Sequence, residues 1–230
     1  MENMELYLKP TEIIDCNHPQ IRAFAEEACG DAKSDVEKAV RLYYAVRDGI
    51  WYDPYVPFYN PEHYRASHVL SIKRGFCIPK ASLLCAAGRS MGLPTRPGFA
   101  NVRNHLATRQ LLEYMGSDIF AYHAFVEFFL EGKWVKSTPA FNAALCKRHH
   151  VEPLEFNGRE DSIFQLYNSQ NHKFMEYLEF LGSFEDIPVD RIVEAFRQFY
   201  GDDRVNSWIA GFEREGNVRR GRFDTEEVIQ

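Results

Sequence analysis

Two residues of this sequence have the type and setting for thiol chemistry, Cys77 and His123. Cys77 follows Gly75-Phe76 and leads the run Ile78-Pro79-Lys80-Ala81-Ser82-Leu83-Leu84-Cys85-Ala86-Ala87. Pro79 suits a first helical turn, where its missing N–H costs nothing. Residues 81–87 are mostly strong helix formers, and Gly92 and Pro94 end the run. The spacing predicts a buried helix opened by Cys77, with free backbone N–H groups and the positive end of the helix dipole at the sulfur. That setting favours the thiolate, the nucleophilic form, so Cys77 is expected to alkylate preferentially below about pH 7. The competing reading is a small hydrophobe buried in the core.

A cysteine nucleophile needs a base that takes its proton and later returns it, and histidine serves best near neutral pH. The candidates are His18, His63, His68, His105, His123, His149, His150 and His172. His123 stands out because it leads the clearest strand, Tyr122-His123-Ala124-Phe125-Val126-Glu127. A strand holds the ring in place, and a hairpin partner can supply a third group to orient it. The competing reading is a satisfied core histidine.

The elements that would position these residues follow from pattern. Residues 1–15 read as a short strand or extended arm. Helices are expected over 21–28, from Ser34 or Asp35 to about Gly49, over 64–71, and from Pro188 to about Tyr200. Residues 51–61 read as an ordered loop rich in proline and aromatics. A strand is expected over 94–102, at a sheet edge. The strand over 122–129 turns at Glu131-Gly132 and pairs with 133–137. Residues 143–186 alternate turns with short apolar runs, and the polar stretch beyond Gly201 carries Trp208, Ile209 and Phe212 as docking residues. Helices followed by antiparallel strands indicate an α+β fold.

The 230 residues are 45% hydrophobic and 14% aromatic, enough for a sizeable core. A net charge of −6 and the lack of a long basic block argue against nucleic acid as a partner. The cluster Arg219-Arg220-Gly221-Arg222 is flanked by acidic residues and reads as solvated surface. No signal peptide or membrane-spanning run is evident, so a cytoplasmic protein without membrane association is expected. Five cysteines, Cys16, Cys29, Cys77, Cys85 and Cys146, suggest reduced thiols rather than a disulfide framework. Cys85, Cys16 and Cys29 read as packing or incidental thiols. Cys146-Lys147-Arg148-His149-His150 reads as a surface loop rather than a metal site. Glu127 is too far along the strand from His123 to orient the ring and is expected to pair with an arginine or lysine.

Residues 75–98 resemble the nucleophile helix of the transglutaminase-like superfamily, a branch of the papain-like cysteine folds. The family shows Gly-x-Cys, an Ala/Leu-rich helix, then Gly-[Leu or Ile]-Pro-x-Arg. Here these read Gly75-Phe76-Cys77, residues 81–87 and Gly92-Leu93-Pro94-Thr95-Arg96. The second family block reads His123-Ala124-Phe125-Val126-Glu127, Gly132 and Trp134. Ile50-Trp51-Tyr52-Asp53 resembles the entry segment. The resemblance spans residues 35–142, within a catalytic core expected over 1–142. Residues 143–230 are expected as an extension packed on that core, able to cap the cleft or to form a dimer surface through Phe196 and Trp208.

The resemblance implies a papain-like, transglutaminase-core fold, with the nucleophile helix packed on an antiparallel sheet. It implies a cysteine acyltransferase or hydrolase, with Cys77 attacking a carboxamide or peptide carbonyl to form a thioester and His123 as general base and acid. Two alternatives stay open: a cysteine protease or amidase using the same site, and a non-catalytic binding or scaffold protein with a relic site. The implied partner is a peptide, protein or small amide. A homodimer is allowed, and neither cofactor nor metal is implied. The family places an Asp four residues after the Trp, where this chain has Thr138. A threonine hydroxyl can fix the imidazole tautomer but supplies no full negative charge. Asn142 is the other candidate third group, since a Cys-His-Asn arrangement also works. Trp51 and Tyr52, with Tyr55 and Tyr59, are candidate walls of the acyl cleft, and the Cys77 backbone N–H is the expected oxyanion donor.

Overall fold

A computed structural model describes residues 3–105, 107–167, 173–214 and 223–226. His172 and the cluster Arg219-Arg220-Gly221-Arg222 lie outside the described residues. The chain begins with a short 3-10 turn, Met4–Leu8, inside the segment expected as a short strand or extended arm. Helix α1 (Pro19–Cys29) starts at His18, and α2 (Asp35–Gly49) at Ser34. The Ser34 hydroxyl accepts the Glu37 amide at 3.2 Å, a cap worth about 1 kcal/mol.

A short strand β1 (Trp51–Tyr52) leaves α2. The chain then loops through the aromatic segment to α3 (Ala66–Ile72), β2 (Arg74–Gly75) and α4 (Cys77–Ser90). Strands β1 and β2 pair in parallel, with Tyr52 opposite Gly75. Helix α4 is the spine of the molecule. It is buried on every face from Cys77 to Arg89, which is why its sequence is apolar all round rather than amphipathic. Helices α1, α2 and α3 cover one side, and the main sheet covers the other. Gly88 permits the close approach of helix to sheet, since a Cβ there would lie 2.6 Å from Thr95 Cγ2. The charged residues of α4 are satisfied inside the core. Lys80 Nζ donates to the Arg47 carbonyl at 2.8 Å and to that of Ile50 at 2.6 Å. Arg89 donates to the carbonyls of Lys9, Thr95 and Glu185.

The main sheet comprises β3 (Thr95–Asn104), β4 (Ile119–Leu130), β5 (Lys133–Ser137) and β6 (Met175–Ser183), in the order β5-β4-β3-β6. All its pairings are antiparallel. Between the strands lie α5 (Arg109–Met115) and α6 (Ala143–Arg148), and α7 (Val189–Tyr200) and α8 (Asp202–Arg214) follow the sheet. The α+β class is therefore as expected, with the Cys77 helix packed on an antiparallel sheet. Strand β3 differs from expectation in being flanked on both sides. Pro97 is tolerated because β6 pairs with β3 only from Gly98 onward, so the missing N–H faces the end of the ladder. Residues 143–148 form a helix with Cys146 buried, not a surface loop. Strand β6 joins the same sheet, and α7 packs against β4. Among the described residues no helix is long and apolar enough to cross a membrane.

Candidate active site

The turn before α4 fixes where the Cys77 sulfur points. Gly75 sits in β2, and a Cβ there would lie 2.7 Å from the Pro79 ring in the first turn of α4. Glycine at this position lets the strand fold directly into the helix. Cys77 then falls at the first helical position, with Phe76 as a cap that offers no side-chain bond. The amides of Cys77 and Ile78 lie in that first turn and face the sulfur, as does the Ala124 amide on β4. Strand β4 therefore passes directly beside the cysteine.

His123 is aimed by a feature that sequence reasoning did not find. Ala100 lies opposite His123, but Val102 lies opposite Phe120, so two residues of β4 face Asn101 alone. Tyr122 lies in this bulge with φ 55°, the left-handed region that a bulky residue adopts only at a cost of about 1–2 kcal/mol. The Asn101 side-chain oxygen accepts the Tyr122 amide at 3.2 Å and holds the bend. The bulge turns His123 toward α4, and Cys77 and His123 line one cavity. No signal in the sequence separates a bulged strand from a regular one here.

Both groups are deeply buried, at 8% exposure for Cys77 and 5% for His123. Burial pushes the Cys77 thiol up to about 11, against the pull of the neighbouring amides. Burial likewise pushes His123 down to about 4. Both shifts run toward the neutral thiol and the neutral imidazole, against the thiolate expected from the helix terminus, and desolvation is the cause of each.

Thr138 and Asn142 separate clearly. The Asn142 oxygen accepts the Tyr52 amide at 2.8 Å, and its nitrogen donates to the carbonyls of Arg47 and Ile50, each at 2.6 Å. Its amide is thereby committed to the end of α2 and the start of β1, together with Lys80. It does not serve His123. Thr138 is 1% exposed, and its hydroxyl has no hydrogen-bond partner among the described residues. The same holds for His123 Nε2 and for the hydroxyl of Tyr177 on β6. Tyr177 connects them. Its ring centroid lies 6.3 Å from that of His123, and its hydroxyl lies beside Thr138 and the Phe164 backbone without bonding to either. These three polar atoms, unpartnered among the described residues, make a buried polar socket in which Tyr177 lies beside both Thr138 and the imidazole. A bridging water would satisfy such a socket. Tyr177 was not singled out in the sequence because β6 lacks clean alternation.

The two candidate wall residues also part. Tyr52 lines the cavity, and its hydroxyl is pushed well up by burial. Trp51 is half-buried and does not line it. The remaining walls come largely from α5, α7 and α8, through Tyr114, Phe196, Tyr200 and Trp208. Phe196 and Trp208, both half-buried, pack on Phe58 at 5.3 and 5.9 Å. Glu127 pairs with Arg96 as expected, and it also accepts the Ser183 hydroxyl at 2.7 Å. Among the described residues no three His, Cys, Asp or Glu side chains gather to hold a metal.

The sequence profile of the transglutaminase-like superfamily matches residues 22–139, a span that holds Cys77, His123 and Thr138. A search of curated proteins found no match. Among solved structures the chain is similar to a "putative cysteine protease" from Cytophaga hutchinsonii, at 15% identity and a TM-score of 0.47. That match covers 60% of this chain but only 43% of the other, so the chain spans less than half of that protein's length.

Proposed function

The chain belongs to the transglutaminase-like superfamily, and from that premise we propose that it is a cysteine-dependent acyl-transfer enzyme. Cys77 Sγ attacks the carbonyl carbon of an amide or related acyl donor. Its proton passes to His123, which then protonates the departing amine or ammonia, leaving a thioester on Cys77. An amine or water attacks that thioester and gives its proton to His123, which returns it to the sulfur. In this reading the Cys77 backbone N–H, in the first turn of α4, stabilises the developing oxyanion. The observation that carries this reading is the cavity lined by both Cys77 and His123. A neutral resting pair also suits it, because proton transfer then accompanies attack and does not precede substrate binding. The polar socket of Thr138 and Tyr177 beside the imidazole supports a water-bridged orienting role in place of the family's carboxylate.

Water as acceptor gives a hydrolase, and an amine gives a transamidase. Thr138 in the carboxylate position favours one further reading, a binding domain with a relic site. Product analysis separates all three. The chain is incubated with small amide donors, with and without a primary amine, and the products are resolved by mass spectrometry. Acid or new amide formed by the native chain, and reduced at least about 1000-fold in Cys77→Ala and His123→Ala, supports the enzyme. Equal background in all three proteins supports the relic site.

A further inference from the structure

We propose that the cavity at Cys77 selects donors whose acyl group is uncharged and apolar, about the size of a six-carbon or phenylalkyl chain, and that α7 and α8 set this choice. The inference rests on the reading of Cys77 as the nucleophile. The cavity offers about 70 Å³ to the centre of a water-sized sphere, room for about five to seven atoms of that size. No Asp, Glu, Lys or Arg side chain lines it among the described residues. Its floor near the sulfur is Phe76, Phe120 and Ala121, and Leu111 and Met115 of α5 form a side.

The outer wall is a set of rings that hold one another. Tyr114 stacks on Trp208 at 4.8 Å and 18°, Phe58 meets Phe196 at 5.3 Å, and Tyr200 meets Trp208 at 5.6 Å. The Tyr200 hydroxyl does not add polarity. It accepts the Ala121 amide at 2.9 Å and donates to the Ile119 carbonyl at 3.1 Å, pinning α7 to β4. Rings locked in this way keep the cavity preformed, and with no ionised side chain of opposite sign in its walls a charged acyl group would lose water without gaining an ion pair. An apolar chain loses nothing and gains the contact area. Phe196, Tyr200 and Trp208 lie beyond residue 139, where the superfamily match ends, and they complete a wall whose other rings, Phe58 and Tyr114, lie within it.

The test uses p-nitrophenyl esters of acetate, hexanoate, 3-phenylpropanoate, succinate and glycine betaine, with Cys77→Ala subtracted as background. Attack by Sγ expels p-nitrophenolate while His123 takes the thiol proton, and water then releases the acid. The expected result is a kcat/KM for hexanoate and phenylpropanoate at least about 100-fold above acetate, with succinate and betaine slowest. Trp208→Ala should lower the hexanoate-to-acetate ratio about tenfold, and Phe196→Ala, scored by the same ratio, covers the case in which Trp208→Ala does not fold. Turnover through Cys77 without chain-length preference, or with succinate or betaine preferred, overturns the apolar selection and leaves the nucleophile intact. A betaine preference would instead mark the rings as a cation cage. No turnover of any ester above Cys77→Ala overturns the nucleophile reading, and the selection with it.

Discussion

Burial of His123 makes a prediction about stability as well as catalysis. The folded imidazole is pushed down to about 4, whereas an unfolded histidine titrates near 6.5. Between those values the unfolded chain binds a proton that the folded chain refuses, so the native state loses stability as pH falls. The loss begins near pH 6.5 and levels off near pH 4. Each pH unit crossed is worth about 1.4 kcal/mol, so the penalty is about 2 kcal/mol at pH 5 and about 3 kcal/mol at full development. Other groups titrate over the same range, and the perturbation that isolates this one is His123→Gln, which keeps a neutral polar group of similar size. Urea unfolding of both proteins at pH 7.5 and pH 5 gives the difference directly. The native chain should lose about 2 kcal/mol relative to the variant between the two conditions. A pH-independent difference would refute the buried neutral imidazole. A difference of opposite sign would mean that His123 rests protonated beside a Cys77 thiolate, which reverses the electrostatic argument.

Three further outcomes follow from the neighbouring groups. Thr138→Asp puts a carboxylate into the socket beside His123 and should raise the imidazole pKa, moving the acid limb of the kcat/KM profile up by one to three pH units; an unmoved limb would separate Thr138 from the ring. Lys80→Met removes the buried amino group that donates to the Arg47 and Ile50 carbonyls and should cost about 2–4 kcal/mol in urea unfolding, with a loss below about 0.5 kcal/mol contradicting the assignment. Asn142→Ala should destabilise by about 2–3 kcal/mol while leaving the shape of the pH–rate profile intact, because its bonds go to the Tyr52 amide and the α2 end. A shifted profile without loss of stability would return Asn142 to His123.

The parts of the fold that repeat a simple period were legible. Helix α4 announced itself through Pro79 and the alanine-rich run, and the β4–β5 hairpin through apolar residues around Glu131-Gly132, whose positive φ angles make the turn. Cys77 was readable because it opens α4, and His123 because it opens the regular stretch of β4 that follows the bulge. What escaped depends on contacts distant in sequence. Strand β6 is an edge with Leu178 and Phe180 exposed at 41% and 53%, so neither face carries the alternation that marks a half-buried strand. The bulge at Tyr122 is a property of the pairing with Asn101, not of either residue alone. Helix α8 was read as a polar tail because its buried side is narrow, chiefly Val205 and Phe212. The sign of the Cys77 shift was missed because a helix terminus is local, whereas burial under β4, α7 and α8 is not.

The account comes down to whether the Cys77 sulfur carries the acyl group. After brief incubation with p-nitrophenyl hexanoate and acid quenching, peptide mass mapping should find a hexanoyl adduct on the peptide containing Cys77, formed far more slowly in His123→Ala. An adduct spread over Cys16, Cys29, Cys85 and Cys146, or one on Cys77 that forms equally fast without His123, would contradict it.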